Sequence, residues 1–400
     1  MLLTVSKRLE FSASRRLFTR RWSDAENIAA FGEESRAEHG TGRNYVVYFI
    51  FSGRVDPITG MLINISEIKR RAGRVVDDGF DHKFLNQDNP AFRETPPTAE
   101  NIAGQLFAEV APLFSDVEAK LVGVHLIETP DRSATFYADG TCDANYWFEF
   151  SAARQTMSPR LTAAEKHKIF GAATAIHGHN YRVRLTFRKE KSDGAVVPRH
   201  DIDCCLKSLH DEFDHRFLNE LPSLKDQPMT TEALGLYFRE RIAKSLPIHR
   251  LRLHERDDFF SEIWPGPDVF LGMQARFSAA HRLHVPSFSD AENQKLFGKC
   301  DNPRGHGHLY LAEATIGGKY DERSGTLYDF VAFQEALDES IAPWQDRHLD
   351  LETEDFQKIS STGENIVRAL WLKIDSRVNH QLVRLRLWET NNNRFTVRRT

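Results

Sequence analysis

Alternating apolar and polar positions predict β-strands in several parts of the chain. Residues 147–150 and 180–185 alternate with a period of two, the spacing at which one face of a strand is buried and the other is solvated. Residues 381–389 alternate in the same way. Residues 1–11 also alternate, and they lack the succession of charged, apolar and small residues that is typical of a signal peptide. We therefore predict strands near both ends of the sequence.

Between the predicted strands, apolar residues fall at the spacing of an amphipathic helix. One such stretch follows Thr98 and another lies in the last third of the chain; their apolar positions are Ile102, Leu106 and Val110 in the first and Phe330, Phe333, Leu337 and Ile341 in the second. The resulting order is β-β-α-α-β-β, which predicts the α+β class with helices on one face of an antiparallel sheet.

The pattern is repeated along the chain. Residues 11–13, 150–152 and 277–279 all read Phe-Ser-Ala, and the run Ser-Asp-Ala-Glu-Asn occurs at both 23–27 and 289–293. Matches in a fixed order at intervals of about one third of the chain indicate three tandem copies of one unit.

Two shifts in composition, at residues 138–141 and 264–267, indicate where the copies join. We therefore expect units at 1–140, 141–266 and 267–400. A sheet of about four strands has two open edges. Three such sheets in one chain can pair edge to edge and form a pseudo-trimeric antiparallel barrel.

The composition excludes some classes of protein. The 400 residues carry a net charge of −4 and no long basic block, which argues against nucleic acid as the main partner. The longest apolar stretches, such as residues 45–51, are much shorter than the roughly 20 residues of a membrane-spanning helix, so we expect no membrane association. Four unevenly spaced cysteines do not form a disulfide framework, which predicts free thiols and a cytoplasmic location.

The third unit contains the densest group of chemically active residues. His306 and His308 lie two residues apart, so in a strand they project from the same face at roughly 7 Å, and His281 comes from the preceding strand. Three neutral imidazoles can hold one Zn²⁺ and leave its fourth position open for substrate or water. A turn with solvated imidazoles is the alternative for His306 and His308, and the third histidine argues against it.

A thiol and two histidine pairs are candidates for proton transfer. Cys300 lies in a polar loop six residues before His306, and a nearby cation lowers the pKa of a thiol. The pairs Asp81-His82 and Asp214-His215 can act as relays, because a carboxylate orients the imidazole beside it. The alternatives are a buried inert cysteine and salt links at helix ends.

Each unit also has a glutamate at the end of a late strand. These residues, Glu128, Glu255 and Glu389, can accept two N–H donors of a ligand in a bidentate contact. Ordinary exposed carboxylates are the alternative.

The third unit resembles the 6-pyruvoyl tetrahydropterin synthase and 6-carboxytetrahydropterin synthase family of the tunnelling fold. The motif of that family, Phe-Ser-Ala-Ala-His-Arg-Leu followed by Gly-Lys-Cys and His-Gly-His, is matched letter for letter at residues 277–283, 298–300 and 306–308. The resemblance implies a twelve-stranded barrel of three β-β-α-α-β-β units, here supplied by one chain. It also implies that two barrels stack, so we expect a homodimer of pseudo-trimeric chains.

The resemblance also implies roles for individual residues. It implies zinc on His281, His306 and His308, Cys300 as the proton-transferring thiol and Glu389 as the residue that anchors the pterin. Thr362 and Glu364 resemble a second pterin-contacting segment, and Glu128 and Glu255 stand at the position of Glu389 in the other units.

The first two units depart from the motif. The first has Arg15 in place of the strand histidine, Thr-Gly-Arg at residues 41–43 in place of His-Gly-His, and no cysteine near Glu34. The second keeps His177 and His179, with Arg154 and Ala173 at the other two positions; these residues are poor metal ligands.

The third unit departs from the motif at a different place. It has Gln345-Asp346 where the other two units have Asp81-His82 and Asp214-His215. No unit is complete, so we expect one composite site per chain, in which Cys300 is served by a histidine of another unit.

The function implied is elimination of triphosphate from 7,8-dihydroneopterin triphosphate by a zinc-dependent carbon–oxygen lyase of the 6-pyruvoyl tetrahydropterin synthase type. Five residues separate Cys300 from His306, a spacing more similar to that type than to the 6-carboxytetrahydropterin synthases of the queuosine pathway. The latter activity and a non-catalytic pterin-binding scaffold are the alternatives.

Overall fold

The structure is a computed structural model that describes residues 1–190 and 197–400. Its strands are β1 (Leu2–Arg15), β2 (Thr41–Ser52), β3 (Lys83–Phe84), β4 (Lys120–Thr129), β5 (Arg132–Tyr137), β6 (Cys142–Arg154), β7 (His177–Lys189), β8 (Arg216–Phe217), β9 (Arg250–Arg256), β10 (Phe259–Ile263), β11 (Asp268–His281), β12 (His306–Lys319), β13 (Arg347–His348), β14 (Leu382–Thr390) and β15 (Asn393–Arg398). Its helices are α1 (Asp24–Phe31), α2 (Ile65–Gly79), α3 (Leu85–Asp88), α4 (Ala99–Val110), α5 (Ala163–Phe170), α6 (Arg199–Phe213), α7 (Thr231–Ala243), α8 (Asp290–Phe297), α9 (Phe330–Ile341), α10 (Leu349–Glu352) and α11 (Gly363–Arg377).

The longer strands form one closed antiparallel barrel. Around the ring the order is β1, β2, β4, β5, β6, β7, β9, β10, β11, β12, β14 and β15, and β15 pairs again with β1. Each unit contributes four consecutive strands. The predicted α+β fold, with three β-β-α-α-β-β units in a pseudo-trimeric barrel, is therefore confirmed.

The joints between units lie within the barrel itself. Residues 138–141 form the tight turn between β5 and β6, where Gly140 has φ of 88° and its amide donates to the Tyr137 carbonyl at 2.9 Å. Residues 264–267 connect β10 to β11, which also pair with each other. The third joint has no covalent link: Leu2 to Lys7 pair with Arg398 to Asn393.

The helices pack on the outside of the barrel through the predicted apolar faces. In α4, Ile102, Leu106 and Val110 are all fully buried. In α9, Phe333 and Leu337 are fully buried, whereas Phe330 at the first position is 38% exposed. Among the described residues, no helix combines the length and apolar character needed to cross a membrane.

A short helix between the first two strands of each unit was not predicted. These helices, α1, α5 and α8, each begin with a capping box in which a hydroxyl and a glutamate three residues later satisfy each other's backbone amide. The pairs are Ser23 with Glu26, Thr162 with Glu165, and Ser289 with Glu292. The Ser/Thr-x-x-Glu spacing was the available signal.

Charged residues line the inside of the barrel. Arg252 in β9 alternates with Leu251 and Leu253, which pack against the helices, so Arg252 points inwards. Its Nε donates to Glu262 at 2.6 Å, and Arg384 reaches the same carboxylate at 3.1 Å from β14. This contact joins β10 of the second unit to β14 of the third, past the two intervening strands β11 and β12.

Candidate metal centre and active site

Three histidines of the third unit converge at one end of the barrel. His281 is the last residue of β11 and pairs with His306, the first residue of β12, while His308 pairs with Ala279. One ring nitrogen from each histidine lies within 4.8 Å of those of the other two. The strand pairing therefore brings together the three predicted metal ligands.

The ring nitrogens that face one another have no protein partner. His281 is fully buried, and its Nδ1 lies 2.8 Å from the Ser361 carbonyl oxygen, which turns Nε2 towards the cluster. Within the described part of the chain, Nε2 of His281, Nε2 of His308 and Nδ1 of His306 are buried without a hydrogen bond. Burial, followed by the neighbouring histidines, lowers the pKa of His306 to about 4. Neutral imidazoles with free lone pairs fit a metal ion.

A carboxylate faces the same cluster. Oε1 of Glu389 lies 3.6 Å from Nε2 of His281 and 3.7 Å from Nε2 of His308. Its other oxygen accepts a hydrogen bond from Asn393 Nδ2 at 3.1 Å. Glu389 thus lies at the edge of the candidate metal centre, near the turn between β14 and β15.

Cys300 lies in the helical turn 298–301 that follows α8. Its carbonyl accepts from the amide of Leu283 at 3.0 Å, two residues beyond His281, which holds the turn beside the cluster. Burial and then the charge of Glu389 raise the pKa of the Cys300 thiol, and Lys299 acts in the opposite direction. The protein groups alone therefore favour the neutral thiol, and the predicted lowering of its pKa requires a bound cation.

The predicted second pterin-contacting segment is held by a loop of the first unit. Thr362 caps the N-terminus of α11, and its hydroxyl donates to the Gly60 carbonyl at 2.7 Å. Glu364 is buried, and its Oε1 accepts the amide of Leu62 at 2.9 Å. Burial is the main reason why the pKa of Glu364 is raised to about 7. The candidate site thus lies at the joint between the third and first units.

The two predicted relay pairs have the expected internal geometry. Nδ1 of His82 lies 2.7 Å from Oδ2 of Asp81, and Nδ1 of His215 lies 2.6 Å from Oδ2 of Asp214. Both histidines have positive φ, and their side chains are 84% and 82% exposed. Among the contacts of the described residues, neither imidazole touches Cys300.

Strand pairing shows which relay pair borders the third unit. The segment that follows His82 forms β3, which pairs with Ala13 and Ser14 near the end of β1. It lies on the same edge of β1 that pairs with β15 of the third unit nearer the start of the strand. The segment that follows His215 forms β8, which adjoins β6 on the edge shared with β5 of the first unit. Asp81-His82 is therefore the pair on the side of the third unit.

The other units carry different residues at the same positions. Arg15 pairs with Thr41 and Arg154 pairs with His177, as His281 pairs with His306. Each of the equivalent glutamates, Glu128 and Glu255, contacts the arginine of its own unit. Gln345 accepts the amide of Ser278 at 3.2 Å, and the amide of Asp346 donates to the Ser278 carbonyl at 2.7 Å, as Asp81 and His82 do with Ser12.

Sequence reasoning missed the backbone partners of the site. The Ser361 carbonyl orients His281, and Gly60 and Leu62 hold Thr362 and Glu364. These contacts use main-chain atoms, which carry no side-chain signal, and two of the residues lie about 300 positions from their partners. No motif could have found them.

The sequence model of the 6-pyruvoyl tetrahydropterin synthase family matches residues 4–139, 145–265 and 271–400. The chain belongs to this family. Members of the family are lyases that act on pterins, and the chain is an enzyme of this class.

Several relatives match one third of the chain. It is 37% identical over 135 residues to 6-pyruvoyl tetrahydrobiopterin synthase of Drosophila melanogaster, which covers 33% of this chain and 80% of that protein. It is 26% identical over 146 residues to 6-carboxy-5,6,7,8-tetrahydropterin synthase of Rickettsia felis, covering 32% and 96% of the two chains. The solved structure of Caenorhabditis elegans 6-pyruvoyl tetrahydropterin synthase is 34% identical and covers 34% of this chain and 100% of that chain, with a TM-score of 0.32.

We predict that Glu364→Gln changes how the stability of the metal-free protein depends on pH. Because the folded state raises the pKa of Glu364 from 4.5 to about 7, it binds more protons than the unfolded state between these values. The contribution of Glu364 is thus complete below about pH 4.5 and is lost as the pH rises through about 7. We compare the free energies of unfolding in urea of the variant and of wild type. As the pH rises from about 5 to about 8, that of the variant should increase relative to that of wild type by on the order of 3 kcal/mol.

The matched control is Glu100→Gln. Glu100 is the second residue of α4, as Glu364 is of α11, but it is partly exposed. Its difference from wild type should change little with pH. A constant difference for Glu364→Gln over the same range would contradict a neutral buried Glu364.

Proposed function

We propose that the chain is a zinc-dependent lyase that eliminates triphosphate from 7,8-dihydroneopterin triphosphate, as a 6-pyruvoyl tetrahydropterin synthase, at one composite site. The observation that carries the proposal is the set of three unpartnered histidine nitrogens in the third unit. Nitrogen donors favour zinc over magnesium or calcium, and three protein ligands leave a position for substrate. In this proposal residues 267–400 form the catalytic unit, whereas 1–140 and 141–266 are degenerate units.

His281, His306 and His308 hold the metal, which when bound acts as a Lewis acid on a substrate oxygen. Glu389 accepts N–H donors of the pterin ring, and Thr362 and Glu364 complete the pocket with the loop of the first unit. Cys300 lies beside the cluster, so a bound cation would favour its thiolate, which can then take a proton from the substrate side chain.

The relay is assigned to the pair on the side of the third unit. Asp81 accepts the Nδ1 proton of His82, which leaves Nε2 to exchange a proton with Cys300. Asp214 holds His215 in the same way but on the side of the first unit. We therefore propose Asp81 and His82 as the partners of Cys300, with Asp214 and His215 retained from a common ancestor. The expected homodimer, stacked barrel on barrel in the cytoplasm, belongs to the same proposal.

The reaction is tested by incubating the zinc-loaded protein with 7,8-dihydroneopterin triphosphate and identifying the products by mass spectrometry. We expect triphosphate and 6-pyruvoyl tetrahydropterin. Release of acetaldehyde would instead indicate the 6-carboxytetrahydropterin product of the queuosine pathway, for which the Rickettsia felis relative is the supporting observation. No consumption of substrate by the zinc-loaded protein would favour the non-catalytic scaffold.

We predict that His306→Ala removes the metal. Loss of one of three ligands should lower the zinc content from about one per chain to about zero. The content is measured after dialysis by elemental mass spectrometry. Cys300→Ala is the control, since it should keep the zinc and lose turnover. A wild-type content near three per chain would contradict the single site.

We predict that His82→Ala and His215→Ala differ in their effect on catalysis. Loss of a proton relay should lower kcat by about 10²–10⁴-fold in His82→Ala with the zinc content unchanged. The chemically identical change His215→Ala is the matched control and should leave kcat close to wild type. Equal losses in both variants would contradict the assignment.

Mixing two inactive variants tests the route of the relay. If His82 serves Cys300 of its own chain, a mixture of Cys300→Ala and His82→Ala chains stays inactive. Recovery of activity in the mixture would show that a stacked second chain supplies the histidine instead.

A further inference from the structure

The position of the buried strand-end histidine is occupied by arginine in both of the other units. Arg15 and Arg154 end β1 and β6 as His281 ends β11, and all three side chains are buried. Burying a guanidinium is costly unless it is paired with an acid. Each arginine must therefore find its partner within its own pocket.

In the second unit the partner of Arg154 is the strand-end glutamate. Its guanidinium contacts Oε2 of Glu255 and donates to Thr231 Oγ1 at 3.2 Å. His179 lies 2.9 Å from the other oxygen of Glu255. Burial alone raises the pKa of Glu255, but Arg154 overrides this effect and holds the carboxyl well below its usual range. Both oxygens of the carboxylate are thus engaged by protein groups.

The first unit has the same arrangement with an additional acid. Arg15 contacts Glu128 through one guanidinium nitrogen and Glu34 at 2.6 Å through another. Glu34 occupies the third position of the helical turn 32–36, as Cys300 does in the turn 298–301. Arg43, at the position of His308, lies 3.0 Å from Glu34. Cationic side chains thus replace two of the three imidazoles.

The third unit has no arginine at these positions, and no arginine or lysine of the described residues forms an ion pair with its strand-end glutamate. Its carboxylate Glu389 faces two imidazole nitrogens at 3.6 and 3.7 Å. His281 and His308 stand where the first unit has Arg15 and Arg43, so a metal ion held by these imidazoles would supply the positive charge that arginine supplies there. Arginine in two units and the proposed metal ion in the third would thus occupy corresponding places beside the strand-end glutamate.

We propose that Arg15 and Arg154 are built-in cations that take the place of the metal ion and close the first and second pockets to metal and to ligands with N–H donors. The proposal rests on the metal site proposed for the third unit. It follows that the second unit, which keeps His177 and His179, is one substitution away from a three-histidine metal site. The first unit, with Thr41 and Arg43 at these positions, is not.

The test is the metal content of Arg154→His. With Zn²⁺ as the probe, the content should rise from about one per chain in wild type to about two, because His177 and His179 then have a third imidazole beside them. Arg15→His is the matched control and should stay at about one. Arg154→Gln, which removes the charge without adding an imidazole, should also stay at about one.

Two further measurements separate this inference from the proposed function. In a His306→Ala background, Arg154→His should raise the content from about zero to about one. If His306→Ala keeps its zinc, the proposed function fails; if Arg154→His adds none while its circular dichroism matches wild type, this inference fails. Zn²⁺ should also raise the melting temperature of the doubly substituted chain and leave that of His306→Ala unchanged.

A third variant tests the wild-type second pocket without altering Arg154. His177, His179 and Glu255 have ligand atoms within 4.8 Å of one another, so they are the group that would bind a metal if the arginine did not replace it. His177→Ala should therefore leave the zinc content of the chain unchanged. A fall of about one zinc per chain would overturn the proposal.

Discussion

Hydrogen bonds between β1 and β15 close the barrel at the one joint where no peptide link connects the units. Open strand edges expose unpaired backbone groups, so each four-stranded sheet needs a neighbour at both edges to satisfy them. The first and third units also share one hydrophobic cluster, which includes Phe11 and Phe277. Because the candidate site lies at this joint, the pairing that closes the fold also delivers Gly60 and Leu62 to Thr362 and Glu364. Closure of the barrel therefore also assembles the pocket.

A buried glutamate near a helix N-terminus captures the loop of the adjoining unit at two joints. Glu364 accepts the amide of Leu62, and Glu232 accepts the amide of Leu327 at 3.1 Å and the hydroxyl of Thr326 at 2.7 Å. These contacts satisfy backbone groups that the closed barrel would otherwise bury unpaired. The second unit has this glutamate contact although its pocket is filled by Arg154. The contact therefore stabilises the joint between units as well as the site.

The residue that precedes each relay-position histidine, or its counterpart Asp346, has a structural role that differs from the proposed chemical one. The side chains of Asp81, Asp214 and Gln345 each accept a strand amide, from Ser12, Ser151 and Ser278 respectively. That task needs one acceptor oxygen, so glutamine can perform it. Orienting an imidazole as a proton carrier needs a carboxylate and an adjacent histidine. The third unit has therefore kept the turn without the Asp-His pair, whereas the other two units keep the pair and have arginine in place of the buried strand-end histidine.

The sequence alone predicted the main strands and helices and the three histidines, because strand alternation and helical spacing depend only on near neighbours. The short helices α1, α5 and α8 were missed. His306 and His308 share a face by spacing, and the matching of His281 to them follows from one hairpin pairing. The contacts of Ser361, Gly60 and Leu62 and the side of the barrel on which Asp81-His82 lies were decided by the tertiary structure. These depend on pairing between residues hundreds of positions apart, and the register of that pairing is set only when the ring closes. Arg15 and Arg154 were read from the sequence as lost ligands; their role as partners of Glu128 and Glu255 emerged only from the buried geometry, where a charge must be balanced by its neighbours.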